Sequence, residues 1–232
     1  MLKKLGCAVV AITFSLSACG GGGGGGEGGG GGSAPRGVRI LHGAIDAAPI
    51  DVYTSLSPGA LIQRASFAST QLYSLLPEGQ QTLTVTRAKT PSVEIRSFNV
   101  DVQSRQRMTL VLFGDNQQFG LSTRLFTDEI PEERGEGTLL RVVDGMTGAS
   151  ELLISIRVPN APRNQSTTTR VAYGNATPYL SIPSGVVRVT AQRAADAKIV
   201  SSVDITLDAG EAYTLLVGGE ADYYVKSTLY AD

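Results

Sequence analysis

The chain has no tryptophan, one histidine and two cysteines in 232 residues, and its formal charge at pH 7 is only −1. Each shortage removes a class of function. A single histidine and the lack of a G-x-S-x-G stretch leave few nucleophile–base pairs, so an enzyme is not expected. Both cysteines, Cys7 and Cys19, sit near the start of the chain, so the region from Gly37 onward can hold neither a disulfide nor a thiolate metal site. Its stability must come from packing, and about 195 residues suffice for one or two cores. With acids and bases nearly balanced there is no basic face for a phosphate backbone, and nucleic acid is not an expected partner. No cofactor is expected either. The G-x-G-x-x-G matches in Gly20–Gly32 follow no strand and open no helix, so they carry no nucleotide-binding meaning.

What is present begins with an address. Met1-Leu-Lys-Lys4 is a short basic segment, followed by an apolar stretch too short to cross a bilayer permanently and then by Leu16-Ser-Ala-Cys19. This arrangement resembles the bacterial lipoprotein signal. The resemblance implies cleavage before Cys19 and acylation of that cysteine, so that residues 1–18 are a signal peptide. Two acyl chains hold a protein to a bilayer stably at about 0.8 kcal/mol per buried CH₂, which makes the membrane the first partner. Gly20 stands where an aspartate would signal inner-membrane retention, which favours the outer membrane of the cell envelope. Residues 19–36 then form a tether. Glycine has no preferred fold, and Gly20–Arg36 as a flexible coil spans roughly 20–25 Å. Loss of residues 1–18 removes Lys3 and Lys4 from 20 basic residues, leaving 18 against 21 acidic ones, a charge of −3.

Past the tether the chain reads as short strands, twice over. Gly37-Val-Arg-Ile-Leu-His-Gly43 returns as Leu139-Leu-Arg-Val-Val-Asp-Gly145, Tyr73-Ser-Leu-Leu-Pro-Glu-Gly79 as Tyr179-Leu-Ser-Ile-Pro-Ser-Gly185, and Thr109-Leu-Val-Leu-Phe-Gly114 as Thr214-Leu-Leu-Val-Gly-Gly219. Leu83 and Val85 alternate with threonines, and Val203, Ile205 and Leu207 alternate with polar residues, so one face buries and the other meets water. Pro77-Glu-Gly79 and Pro183-Ser-Gly185 suit tight turns. About eight strands per copy predict an all-β protein of two tandem antiparallel β-sandwich (Ig-like) domains, residues 37–130 and 138–232. The acidic segment Asp128–Gly137 reads as a linker between the domains, taken as residues 131–137, that allows limited hinge motion. A transmembrane barrel would want aromatic girdles, which scattered aromatics without tryptophan do not provide.

Val38-Arg-Ile-Leu-His-Gly-Ala-Ile-Asp-Ala-Ala-Pro-Ile-Asp-Val-Tyr53 and Tyr73-x-x-x-Pro-x-Gly79 resemble the DUF4397 family of exported bacterial proteins. The second copy keeps Tyr173-Gly174, Tyr179, Pro183 and Gly185 but replaces His42 by Asp144, Asp46 by Gly148, Pro49 by Glu151 and Asp51 by Leu153. The resemblance implies a β-sandwich and brings no activity.

His42, Asp46 and Asp51 form the one constellation that could carry chemistry, as a loop for a divalent cation or a polar ligand. The competing reading is structural: Asp46 bonds its own loop's N–H groups, while His42 and Asp51 steady strand ends. A non-enzymatic binding or structural module of the envelope, with an envelope protein or glycan as ligand, is therefore the first expectation. An envelope hydrolase using His42 and nearby carboxylates such as Asp51 and Asp101 is the alternative, and a carbohydrate-binding module the third. For the last, Tyr223-Tyr224 on a final strand would place one ring outward and one inward. Arg163–Arg170 reads as a solvated hairpin or loop tip.

Overall fold

The structure, a computed structural model, describes residues 36–69, 72–115, 120–131, 137–159 and 166–232. Residues 1–35, on which the expected signal peptide, Cys19 and the glycine tract fall, and residues 132–136 of the expected linker lie outside these. Among the described residues there is no helix. The strands are β1 (Gly37–His42), β2 (Ile50–Thr54), β3 (Ala60–Ala65), β4 (Ser74–Leu75), β5 (Gly79–Arg87), β6 (Thr90–Val102), β7 (Arg107–Gly114) and β8 (Leu121–Thr127), then β9 (Thr138–Thr147), β10 (Glu151–Arg157), β11 (Ser166–Ala172), β12 (Leu180–Ile182), β13 (Gly185–Arg193), β14 (Ile199–Leu207), β15 (Ala212–Glu220) and β16 (Tyr224–Ala231). The first eight build sheets ordered β4-β1-β7-β8 and β3-β2-β5-β6. The second eight repeat that topology as β12-β9-β15-β16 and β11-β10-β13-β14.

The all-β sandwich is as the sequence leads one to expect, with one departure from an antiparallel arrangement. β1 runs parallel to β7, with Arg39 opposite Thr109, and β9 runs parallel to β15, with Arg141 opposite Thr214. Parallel neighbours need a long crossover. Here the chain supplies it by passing through β2–β6 or β10–β14 first, and the alternation of side chains is blind to strand direction.

Side-chain alternation then explains the packing. From β1 and β7, Val38, Ile40, Met108, Leu110 and Leu112 enter the first core, while Leu41, Val111 and Phe113 point the other way. From β9 and β15, Leu140, Val142, Leu215 and Val217 enter the second core, and Val143 and Leu216 point away. The residues pointing away meet one another. Leu41, Val111 and Phe113 of one sandwich pack with Val143, Leu216 and Tyr230 of the other. These inner strands are therefore buried on both faces, which is why they read as near-continuous apolar runs. At the edge of this contact the backbones touch: Gly219 N–H donates to Gly43 O at 2.8 Å, and a Cβ on Gly218 would fall 2.9 Å from Gly43 Cα. Ser33–Asp232 is accordingly one compact unit, and a hinge between the sandwiches would have to open this buried face.

Ser166–Ala172 of the polar tract is β11, an edge strand antiparallel to its chain neighbour β10, in keeping with a solvated hairpin rather than a loop tip; residues 163–165 lie outside the described residues. One further reading is revised. Tyr223 lies on the turn before β16 rather than on the strand, so alternation does not govern the Tyr pair. Both rings are exposed, Tyr223 by 79% and Tyr224 by 49%.

Candidate functional site

His42 ends β1 and is buried at 1% exposure. Its ring stands edge-on to Phe67 with centroids 6.5 Å apart, its Nε2 lies 3.5 Å from Ala48 O, and its Nδ1 has no hydrogen-bond partner. Burial holds its pKa below the ordinary value, so the imidazole is neutral at pH 7. Asp51, on β2, accepts Arg64 N–H at Oδ1 (2.7 Å) and Lys89 N–H at Oδ2 (3.2 Å). Arg64 and Lys89 both have positive φ, 51° and 64°, a conformation that costs a non-glycine residue energy. The carboxylate thus pins two strained places, an irregularity in β3 on one side of β2 and the β5–β6 turn on the other. Asp46 is exposed on the loop between β1 and β2. Among the described residues no group of three or more His, Cys, Asp or Glu is placed to hold a metal ion, so the three are not brought together as a cation site. Asp51→Ala should cost about 1–2 kcal/mol in chemical denaturation, because two part-buried N–H donors lose their acceptor, and Asp51→Asn should recover part of it. Calcium, zinc or manganese should leave the melting temperature of either form unchanged; a metal-dependent rise in the wild type alone would restore the cation reading.

The polar chemistry that the fold does concentrate lies between the sandwiches. Arg39 and Arg141, at 0% and 3% exposure, occupy equivalent places on β1 and β9. Each donates through Nε to the threonine beside it, Arg39 to Thr109 (3.1 Å) and Arg141 to Thr214 (3.2 Å). Each then pairs with an aspartate of the opposite copy. Arg39 Nη2 meets Asp232 Oδ1, while Arg141 Nη2 stands 2.8 Å from Asp128 Oδ1, an ionic contact outside hydrogen-bond alignment. Tyr73 and Thr109 donate to Asp128 Oδ2 at 2.8 and 2.7 Å, and Tyr179 and Thr214 to Asp232 Oδ2 at 2.7 and 2.8 Å. Arg39 and Arg141 also lie over the Tyr73 and Tyr179 rings, at 4.6 and 4.9 Å. Burial works against the charge of Arg141, but Asp128, Tyr179 and Asp232 outweigh it and its pKa rises. Both tyrosines are pushed up by burial, so they stay protonated as donors. Two cations and two anions cancel in a two-fold pattern, which makes the lattice a lock and not a reactive centre.

Among the described residues a polar cleft of about 510 Å³ opens on the first copy, lined by Ser55, Gln80–Thr82 and Asn99–Asp101, and two further clefts lie at the loops after β1 and β9. The first of these two, about 500 Å³, lies between the copies and is lined by Ile45, Phe67, Tyr223, Tyr224 and Lys226. The second, about 430 Å³, sits at the equivalent loop of the other copy, lined by Thr147–Ser150 and Tyr173. Behind it lies Asp144, the counterpart of His42. Asp144 is fully buried, its Oδ1 accepts Met146 N–H at 3.0 Å, its Oδ2 has no partner, and burial pushes its pKa up to about 7. The cleft between the copies holds no nucleophile next to a base.

A family model described as a domain of unknown function, DUF4397, matches residues 36–155 and again residues 140–232. The chain belongs to this family. The two DUF4397 matches overlap at β9 and the start of β10, and together they reach from Arg36 to Asp232. No curated protein matches the sequence. Among solved structures, a candidate cell adhesion protein from Bacteroides ovatus is similar at 10% identity and a TM-score of 0.29, covering 84% of this chain and 96% of its own. A second, from Bacteroides uniformis, is similar at 10% identity and a TM-score of 0.24, covering 86% and 98%. The fold described above rests on the strands themselves.

Within the DUF4397 pair, the residues that escape a sequence reading are the aspartates of the lattice. Asp128 reads as the first residue of an acidic linker, yet it is buried. The signal was a short repeat: Leu125-Phe-Thr-Asp128 returns as Leu229-Tyr-Ala-Asp232.

Proposed function

We infer that this chain is a lipid-tethered, non-enzymatic binding module of the bacterial cell envelope, anchored through Cys19 on the outer membrane. The anchor rests on the Leu16–Cys19 motif and the glycine tether. The binding role rests on one observation: the buried charges Arg39, Asp51, Asp128, Arg141 and Asp232 are spent on holding the fold, while an aromatic cleft between the copies is left open. A hydrolase would need a base beside a nucleophile. The one histidine is buried, faces a carbonyl and an aromatic edge, and engages no carboxylate among the described residues.

Cell fractionation tests both halves of this reading. The wild type should carry acyl label and sediment with outer membrane, and Cys19→Ala should lose the label and become soluble. That soluble form should then cosediment with isolated envelope fragments of the same cells. Label on Cys19→Ala would remove the anchor; failure to cosediment would remove the binding role.

A further inference from the structure

Tyr223 exposes 79% of its surface from a turn that backbone bonding already secures, through Tyr223 N–H to Glu220 O at 3.2 Å. The fold gains little from a phenol there. Beside it, Tyr224 is half exposed and meets Phe67 of the other copy with centroids 6.2 Å apart and ring planes at 63°. Phe67 is held in turn by the edge-on ring of His42. Ring on ring contact sets these orientations before any ligand arrives, which lowers the ordering cost of binding. The cleft joins two copies that cannot hinge freely, so its width is fixed by the buried face beneath it.

Its charge is equally specific. Lys226 is the one ionic side chain in the lining, and among the described residues its ammonium makes no ion pair. The acid nearest in sequence, Asp222, is already engaged by Arg193 at 2.7 Å and by Lys198. Among the described residues no carboxylate lines the cleft. Aromatic faces carry partial negative charge, and the C–H face of a pyranose ring carries partial positive charge, so a sugar stacks where an aliphatic chain would only pack. The free ammonium then calls for an anion. A peptide carboxylate would satisfy the ammonium but brings no C–H ring face for the aromatics, whereas an acidic sugar brings both.

We propose that this cleft binds a saccharide bearing a carboxylate, of the uronic or sialic acid class, with the sugar ring on Tyr223 and Tyr224 and the carboxylate on Lys226 Nζ. This rests on the binding-module reading and gives it a site and a ligand chemistry. The test is calorimetric titration of the full-length acylated protein in detergent micelles. The probes are galacturonate, 3′-sialyllactose, the carboxyl-reduced form of each, and a tetraglutamate peptide. At least one acidic sugar should bind saturably, and its reduced form should bind about tenfold more weakly for want of a charge-assisted hydrogen bond. Lys226→Gln should weaken the acidic sugar about tenfold and leave the reduced form unchanged. Tyr223→Ala and Tyr224→Ala should weaken both forms without lowering the melting temperature. Three results overturn the proposal: neither acidic sugar binds, tetraglutamate binds as tightly as the sugars, or Lys226→Gln and Tyr223→Ala bind as the wild type does. Should any of these occur while the chain still cosediments with envelope fragments, the binding role survives and the cleft is not its site.

Discussion

Arg39→Met should lower the unfolding free energy by about 3–5 kcal/mol, the range measured when one member of a buried ion pair is removed. The substitution keeps an apolar stem of similar length, so little of the loss is packing. What is lost is the cation that Asp232 needs, and that carboxylate has no exposed surface through which water could replace it. Tyr179 and Thr214 still donate to Asp232, which is why the loss does not reach the full cost of an isolated buried charge. Adding Asp232→Asn to Arg39→Met should return part of the stability, because the orphaned charge goes with it. The crossed geometry makes a sharper demand. In double-mutant cycles by urea denaturation, Arg39 should couple more strongly to Asp232 than to Asp128, and Arg141 more strongly to Asp128 than to Asp232. Coupling within each copy instead of across would mean that the sandwiches do not pack as described. Losses below 1 kcal/mol for both arginines would mean that the lattice is open to water.

Asp144→Asn should do the opposite and stabilise the protein at neutral pH and above. An aspartate in the unfolded chain titrates near 3.8, and in the native fold burial raises it to about 7. Below pH 4 both states are protonated and the site costs nothing. Between 4 and 7 the unfolded chain loses its proton while the native state keeps it, so stability falls as pH rises. Above 7 the native state carries the buried charge and the loss is complete, amounting to a few kcal/mol at about 1.4 kcal/mol per unit. Asparagine keeps an acceptor for Met146 N–H and never ionises. The variant should therefore match the wild type near pH 4 and exceed it by several degrees of melting temperature at pH 8. His42 works in the other direction: its lowered pKa withdraws stability as pH falls below 6.5. That contribution is common to both proteins and cancels in the difference. A difference independent of pH would show that Asp144 does not titrate in this range.

Much of the fold can be read from the chain alone. The threonine alternation around Leu83 and Val85 places β5 with one face inward, and the Pro-x-Gly turns predict the positive φ found at Gly79 and Gly185, 102° and 100°. The repeat of Val-Arg-Ile-Leu as Leu-Arg-Val-Val marks β1 and β9. What the same segments do not disclose is that their second face is also covered. An arginine in the middle of an apolar strand looks like the solvent side of an alternation, and here it points into another sandwich. Only the partner at the far end of the copy explains it, and Asp128 hides among the acids of a linker while Asp232 lies nearly two hundred residues from Arg39. The cleft is beyond a linear reading for the same reason: Phe67 and Tyr224 meet through the packing of the copies and share no motif. Tyr73 and Tyr179 were visible as markers of the repeat, but their role as donors to the aspartates needs the third dimension.

The near-symmetry of the buried face is broken at one place, and the break has its own meaning. Phe113 fills the hollow above Gly174, where any Cβ would fall 2.7 Å from its ring, while the position equivalent to Phe113 in the second copy is Gly218, pressed against Gly43. In a dimer of identical chains every change is made twice, on both sides of the axis, and a ring added on one side must find room for its twin. Joining the copies on one chain removes that constraint. A large side chain on one half can be met by a small one on the other, and the halves can drift apart in sequence while staying matched. It also makes their association intramolecular, so the pairing does not weaken on dilution. Melting should then be independent of protein concentration.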